Sequence, residues 1–195
     1  MYAPIVIPPV ASALLINAAL AAAASMVIFF IAITAVPIRF AELGLGETTT
    51  GYFLSFISLV AVGAVACMPR MTALIGEFKT LGLAFLFYAV AHACFAIATD
   101  PGLFIVGGVA MGCGFGFSIP LVNHMTIGRS HSSKRGRNLA YLSMAIFTGQ
   151  FCSSFLDVVS SGYQRVFSSA AILAAVACLS VTFARKGLRV AENYG

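Results

Sequence analysis

Charge is what this chain lacks most. Of 195 residues, 11 are Lys or Arg and 6 are Asp or Glu, so charged residues make up 9%, against about 25% in ordinary soluble domains. Hydrophobic residues make up 61%. So few charges cannot cover the surface of a folded chain of this size in water, and disorder is excluded by the same numbers, since disordered chains are polar and charged. The sequence has no GxxxxGK[ST], so it carries no P-loop, and it has no HExxH and no CxxC. The five cysteines all fall in apolar stretches, where they read as packing residues. A Gly-x-Ser-x-Gly with a later histidine, as a membrane serine protease needs, is also missing, and the glycine-rich Gly112-Cys113-Gly114-Phe115-Gly116 follows no strand. Catalysis therefore has no support. The net charge of +5 is too scattered for a phosphate-binding face, which excludes nucleic acid as a partner. No cofactor or metal site is expected, and no signal peptide is seen.

Long apolar runs are what the chain does have. They predict an all-α integral membrane protein with six transmembrane helices in a single domain over residues 1–195. The spans are expected at 13–37, 51–68, 80–99, 103–127, 138–160 and 166–184. Residues 71–79 read as a short connector. Barrel strands would alternate polar and apolar residues, and Gly82 to Ala91 do not. Counting connectors alternately, one side holds Arg70, Lys79, Arg129, Lys134, Arg135, Arg137, Arg185, Lys186 and Arg189, and the other holds Arg39 and Arg165. The Lys/Arg-rich side is cytoplasmic, which puts both termini inside.

Within the spans, Gly108, Gly112 and Gly116 recur every four residues on one helix face, and Pro120 continues that face. This is either a small-residue groove against a neighbouring helix or a hinge lining a substrate path. In the fifth span Ser143, Gln150, Ser154 and Asp157 share a face. A mid-span amide such as Gln150 needs a partner, since leaving it unpaired in hydrocarbon costs several kcal/mol. It either bonds a neighbouring helix or lines an aqueous cavity. Asp157 is the single carboxylate inside a span, toward the outer interface, where it is either solvated or couples protons or ions. Asn17 and Asn123 are further candidates for a cavity wall. His92, among small apolar residues of the third span, reads as a hydrogen-bonded core histidine.

The run Pro37-Ile38-Arg39-Phe40-Ala41-Glu42-Leu43-Gly44-Leu45-Gly46, followed by Gly51-Tyr52-Phe53-Leu54-Ser55, resembles a helix end, outer loop and next helix in the C-terminal six-helix half of major facilitator superfamily transporters. The stretch Pro69 to Lys79 resembles that family's cytoplasmic Gly-x-Leu-x-Asp-Arg-x-Gly-Arg loop. Gly76 and Lys79 fit it, with Arg70 nearby, while Ala73 and Leu74 stand where Asp and Arg would be. Arg135-Gly136-Arg137 through Gly149-Gln150-Phe151-Cys152-Ser153-Ser154 is similar to the tenth-to-eleventh loop and eleventh helix of efflux-like members. The resemblance implies half of such a bundle, built of two inverted three-helix repeats. It also implies transport of a small, unidentified solute by alternating access, in a bacterial inner membrane. The partners would be the lipid bilayer and either a second six-helix half or a second copy. Family members have about twelve spans, so the chain is also open to a reading as a fragment or a truncated frame. The alternative to transport is a structural membrane protein with no transport activity of its own.

Overall fold

In the computed structural model the chain is described over residues 9–159 and 162–193, with side chains over 12–155 and 162–184. It forms six helices: α1 (Pro9–Glu42), α2 (Glu47–Ile75), α3 (Glu77–Ile97), α4 (Pro101–Gly128), α5 (Arg135–Val159) and α6 (Tyr163–Asn193). A 3-10 turn at Ser132–Lys134 precedes α5.

Local chemistry sets the breaks. α1 ends where Gly44 takes φ 72°, a left-handed conformation that glycine adopts without steric cost. Gly76, at φ 85°, closes α2 by donating its N–H to the Thr72 carbonyl at 2.9 Å, and α3 starts at the next residue. α4 opens on Asp100, whose carboxylate accepts from the N–H groups of Gly102 (2.9 Å) and Leu103 (3.3 Å), with Pro101 in the first helical position. That is a strong start signal, because it satisfies donors the helix itself leaves open.

One expectation needs correction. Residues 71–79 were expected to form a connector, but α2 runs through Pro69 to Ile75, so the break narrows to Gly76. Six spans were expected as well. Among the described residues, five helices are long and apolar enough to cross a membrane, and α5 is the exception. Its start at Arg135, Arg137 and Asn138 and its serines, Thr148 and Gln150 dilute its apolar content. At about 1.5 Å per residue its 25 residues would still reach about 37 Å.

α1 and α4 sit centrally. α4 packs along α2 and α3, while α1 packs along α5 and α6 and also meets α4; α3 and α6 run against each other. The interior is aromatic and tightly filled. Phe85, Tyr88, Phe95, Phe104 and Phe167 are fully buried, and the Phe95 and Phe104 rings stack at 5.8 Å. The outer surface is apolar too: Leu20, Leu59, Leu74, Phe147, Ile172 and Phe183 are exposed. Such a surface would aggregate in water and suits a lipid bilayer.

Candidate functional site

The α4 glycines are in close contact with α2. A Cβ on Gly112 would lie 2.7 Å from both the Ile57 carbonyl oxygen and Val60 Cβ; one on Gly116 would lie 2.5 Å from the Ala61 carbonyl oxygen. At Gly108 it would meet Phe53 at 3.0 Å. A second glycine face of α4 abuts α3, where Gly107 lies under Phe95 and Gly114 under Tyr88. Pro120 is half-buried, and α4 continues through it to Gly128.

The α5 stripe lies on a boundary. Its neighbour Gly149 is buried, with a hypothetical Cβ running into the Ala23 carbonyl of α1. Ser153 is buried and donates to the Gln150 carbonyl at 2.6 Å. Ser143 and Ser154 are exposed on the other flank, with Phe147 and Phe151 beyond them. Gln150 stands between, half-buried, and its Nε2 donates to Met26 Sδ of α1 at 3.8 Å. A thioether is a weak acceptor, so this contact leaves most of the amide's hydrogen-bonding capacity for water or solute. The side chain of Asp157 lies outside the described residues.

The remaining candidates are scattered. Asn123 is half-buried and its Nδ2 donates to the Ile119 carbonyl at 2.9 Å. Asn17 lines a groove between α1 and α6. Arg70 and Lys79 are exposed on either side of Gly76. The structure thus does not gather Asn17, Asn123 and the α5 stripe into one pocket.

Three polar clusters were not singled out as sites by sequence. His92 is fully buried between Phe95 and Phe167; its Nε2 lies 2.9 Å from the Ile28 carbonyl oxygen, so that nitrogen carries the proton and ties α3 to α1. Arg39 is buried at the end away from the basic loops. It pairs with Glu42 at 3.1 Å, donates to the Ala98 carbonyl at 3.5 Å and lies 3.6 Å over the Tyr163 ring. One guanidinium therefore ties the ends of α1, α3 and α6. At the basic end Glu77 pairs with Arg129 and, at 3.4 Å, with His124, joining the start of α3 to the end of α4. Apart from the local Arg39–Glu42 pair, these contacts join residues 47 to 124 positions apart, and no local pattern announces them.

Among the described residues no cluster of three or more His, Cys, Asp or Glu can hold a metal. What the architecture defines is a polytopic helical membrane protein with a polar helix edge and close-packed glycine seams. Residues 18–192 match the Major Facilitator Superfamily, and the chain belongs to that family. Its members are transporters and not enzymes, so membership implies transport. No curated protein matches the chain.

Proposed function

We propose that these six helices form one half of an alternating-access transporter, equivalent to the C-terminal half of the family's bundle, and that they carry a small solute outward. The observation that carries this reading is an exchange symmetry in the packing. Swapping α1 with α4, α2 with α5 and α3 with α6 turns the α2–α4 seam into the α5–α1 seam and the α3–α4 seam into the α6–α1 seam, and leaves α3 against α6. Two inverted three-helix repeats have this pattern. α5 then crosses the membrane as the counterpart of α2, and its polar edge at Ser143, Gln150 and Ser154 borders the solute path, completed by a second six-helix half or a second copy.

Uptake of labelled candidate solutes into proteoliposomes, with and without a pH gradient, tests the reading. Flux should appear with the parent chain and fall at least about tenfold with Gln150→Leu, the size expected if one good hydrogen bond to a bound solute is lost. Flux unchanged by that substitution removes the stripe from the pathway. A folded dimer that moves nothing favours the structural alternative. The Lys/Arg excess on one side of the connectors supports a reading in which both termini are cytoplasmic, in a bacterial inner membrane. A Ser132→Cys variant, in a background without native cysteines, should therefore resist impermeant maleimide in whole cells.

A further inference from the structure

The packing of α1, α3 and α6 leaves two buried polar atoms idle. His92 of α3 donates through Nε2 to the Ile28 carbonyl of α1 at 2.9 Å, but its other ring nitrogen, Nδ1, is buried without a hydrogen-bond partner. Ser25 of α1 is fully buried, and its hydroxyl oxygen has no partner either. Ser25 precedes Ile28 by three residues and so lies one turn away on the same face of α1. Buried polar atoms in native interiors are nearly always paired, so two idle ones on neighbouring helices need a reason.

The tie between α3 and α1 uses one N–H. An imidazole brings a second nitrogen, which is bare when the ring is neutral and becomes a second donor when acid adds a proton. No charge stands by to compensate that proton. The ring neighbours are Phe95 on α3 and Phe167 on α6. α1 has no charged residue before Arg39, which is held at the far end by Glu42, Ala98 and Tyr163. α4 has none between Asp100 and His124, and α6 has none from Val166 to Ala184. Of the other titratable groups on these helices, Tyr88 pairs with Ser118 at 3.1 Å, the Cys178 thiol donates to the Gly82 carbonyl at 3.2 Å, and Cys94 and Cys113 are half-buried. A proton on Nδ1 therefore needs a neutral acceptor, and the idle oxygen of Ser25 is one.

The same turn of α1 is also held by α5, where Gln150 donates to Met26 Sδ at 3.8 Å. Ser25, Met26 and Ile28 put the His92 tie and the Gln150 contact within four consecutive positions of one helix.

We infer that His92 is a protonation-sensitive anchor for this turn of α1. Neutral, it fixes the turn through Ile28. Protonated, it draws the Ser25 oxygen onto Nδ1–H, shifts the turn, and moves Met26 beneath Gln150. The consequence for transport rests on the reading of Gln150 as an edge of the solute path; the shift itself does not.

The test uses the full chain in detergent with His124→Gln and His131→Gln, which leaves His92 as the single histidine. Nitrogen-15 signals of the imidazole should show a proton on Nε2 alone at about pH 7.5, and on both nitrogens in acid that leaves the chain folded. In that acid, backbone hydrogen exchange over 21–32 should run about fivefold faster than in His92→Gln at the same pH. The glutamine amide can still donate to Ile28 but does not titrate. Ser25→Ala should melt at or above the single-histidine parent at about pH 7.5, because an unpaired buried hydroxyl is gone. In acid it should melt below that parent, because the second N–H has lost its acceptor. Three results overturn the proposal: an Nδ1 that stays bare until the chain unfolds, exchange over 21–32 equal to that of His92→Gln, and a Ser25→Ala variant that follows the parent at both pH values. The imidazole signals need no substitution at His92, so they decide the matter if His92→Gln does not fold. None of these readouts uses flux, so a folded protein that moves no solute counts against the transport reading alone.

Discussion

The α2–α4 seam and the α1–α5 seam correspond under the packing exchange, yet they achieve close contact differently. In the first, the central helix supplies the small residues. Gly108, Gly112 and Gly116 let α4 lie on the backbone and small side chains of α2, including Ala61 and Ala64. In the second, the central helix contributes alanines, Ala18 to Ala24 with Leu20 between them, and the flanking helix supplies a single glycine, Gly149. In a bilayer, helices gain little from hydrophobic burial against each other, so close approach and polar contact decide the seam. The α4 face carries no polar side chain along its glycine ladder. The α5 face places Gln150 and Ser153 beside Gly149, with Ser154 on the exposed flank. The first seam is a close apolar fit; the second leaves a polar edge partly open.

The largest effect should come from Gly112→Leu. Its first side-chain atom would stand 2.7 Å from the Ile57 carbonyl oxygen, and a backbone atom in mid-helix cannot rotate away as a side chain can. Overpacking costs typically about 1–3 kcal/mol and more where backbone must move. The expected result is loss of most folded, monodisperse protein on size-exclusion chromatography in detergent. A variant that elutes and melts like the parent would separate α2 from α4 and end the comparison. Gly149→Leu should cost less, about 1–3 kcal/mol by the same scale. Its Cβ also runs into a backbone carbonyl, that of Ala23, but α5 packs mainly on one neighbour, α1, and can tilt outward. A thermal shift in detergent should rank Gly112→Leu well below Gly149→Leu. The reverse order would make the α1–α5 seam the tighter of the two.

The first seam was legible in the sequence because a four-residue repeat of glycine has a direct geometric meaning on a helix. The second was not, because one glycine in a polar stretch has no period, and its meaning depends on a carbonyl 126 positions earlier in the chain. Gly107 and Gly114 went unflagged for a related reason: they are seven apart, and the denser ladder beside them dominates the pattern. The helices themselves were readable from apolar length and from punctuation such as Asp100-Pro101-Gly102. Pro69 misled, since α2 runs through it and stops at the glycine seven residues later. α5 was read as a span and as polar at once, and the structure shows a long helix in the bundle that falls below the apolar content of its neighbours. Asn17 was a candidate for a cavity wall and lines a groove between α1 and α6 instead of joining the stripe, because lateral placement around a bundle is not written in one-dimensional spacing.

A milder perturbation sharpens the contrast between the packed and open sides of α5. With native cysteines removed, Ser154→Cys should react readily with a small water-soluble thiol reagent in reconstituted protein, Gln150→Cys more slowly, and Ser153→Cys hardly at all. The order follows exposure: Ser154 is exposed, Gln150 half-buried and Ser153 1% exposed. A lipid-facing Ser154 would stay unreacted, since charged thiol reagents do not enter hydrocarbon and the thiolate, the reacting form, is disfavoured there. Equal protection at 150 and 154 would assign the stripe to helix contacts and lipid, and Gln150 to Met26 alone. None of the three substitutions should move the melting temperature by more than the few degrees expected for about 1 kcal/mol.

The smallest effect belongs to Gly63→Leu. Gly63 sits on α2 between Ala61 and Ala64, which are buried, but a Cβ there meets nothing within 4 Å and the residue itself is exposed. It is therefore the same substitution as at Gly112, at a similar depth, on the opposite face of the seam's other helix. If glycine mattered to this bundle only through backbone flexibility, Gly63→Leu and Gly112→Leu would act alike, because both replace a helical glycine by a better helix former. If close approach is what matters, Gly63→Leu should be neutral or stabilising by up to about 1 kcal/mol, the helix propensity that glycine forgoes. Its added side chain would extend the surface that Leu59 and Val62 already present to lipid. A melting temperature lowered as far as in Gly112→Leu would mean that this face of α2 is itself covered, and the surface assigned to lipid would have to be reassigned to another protein segment.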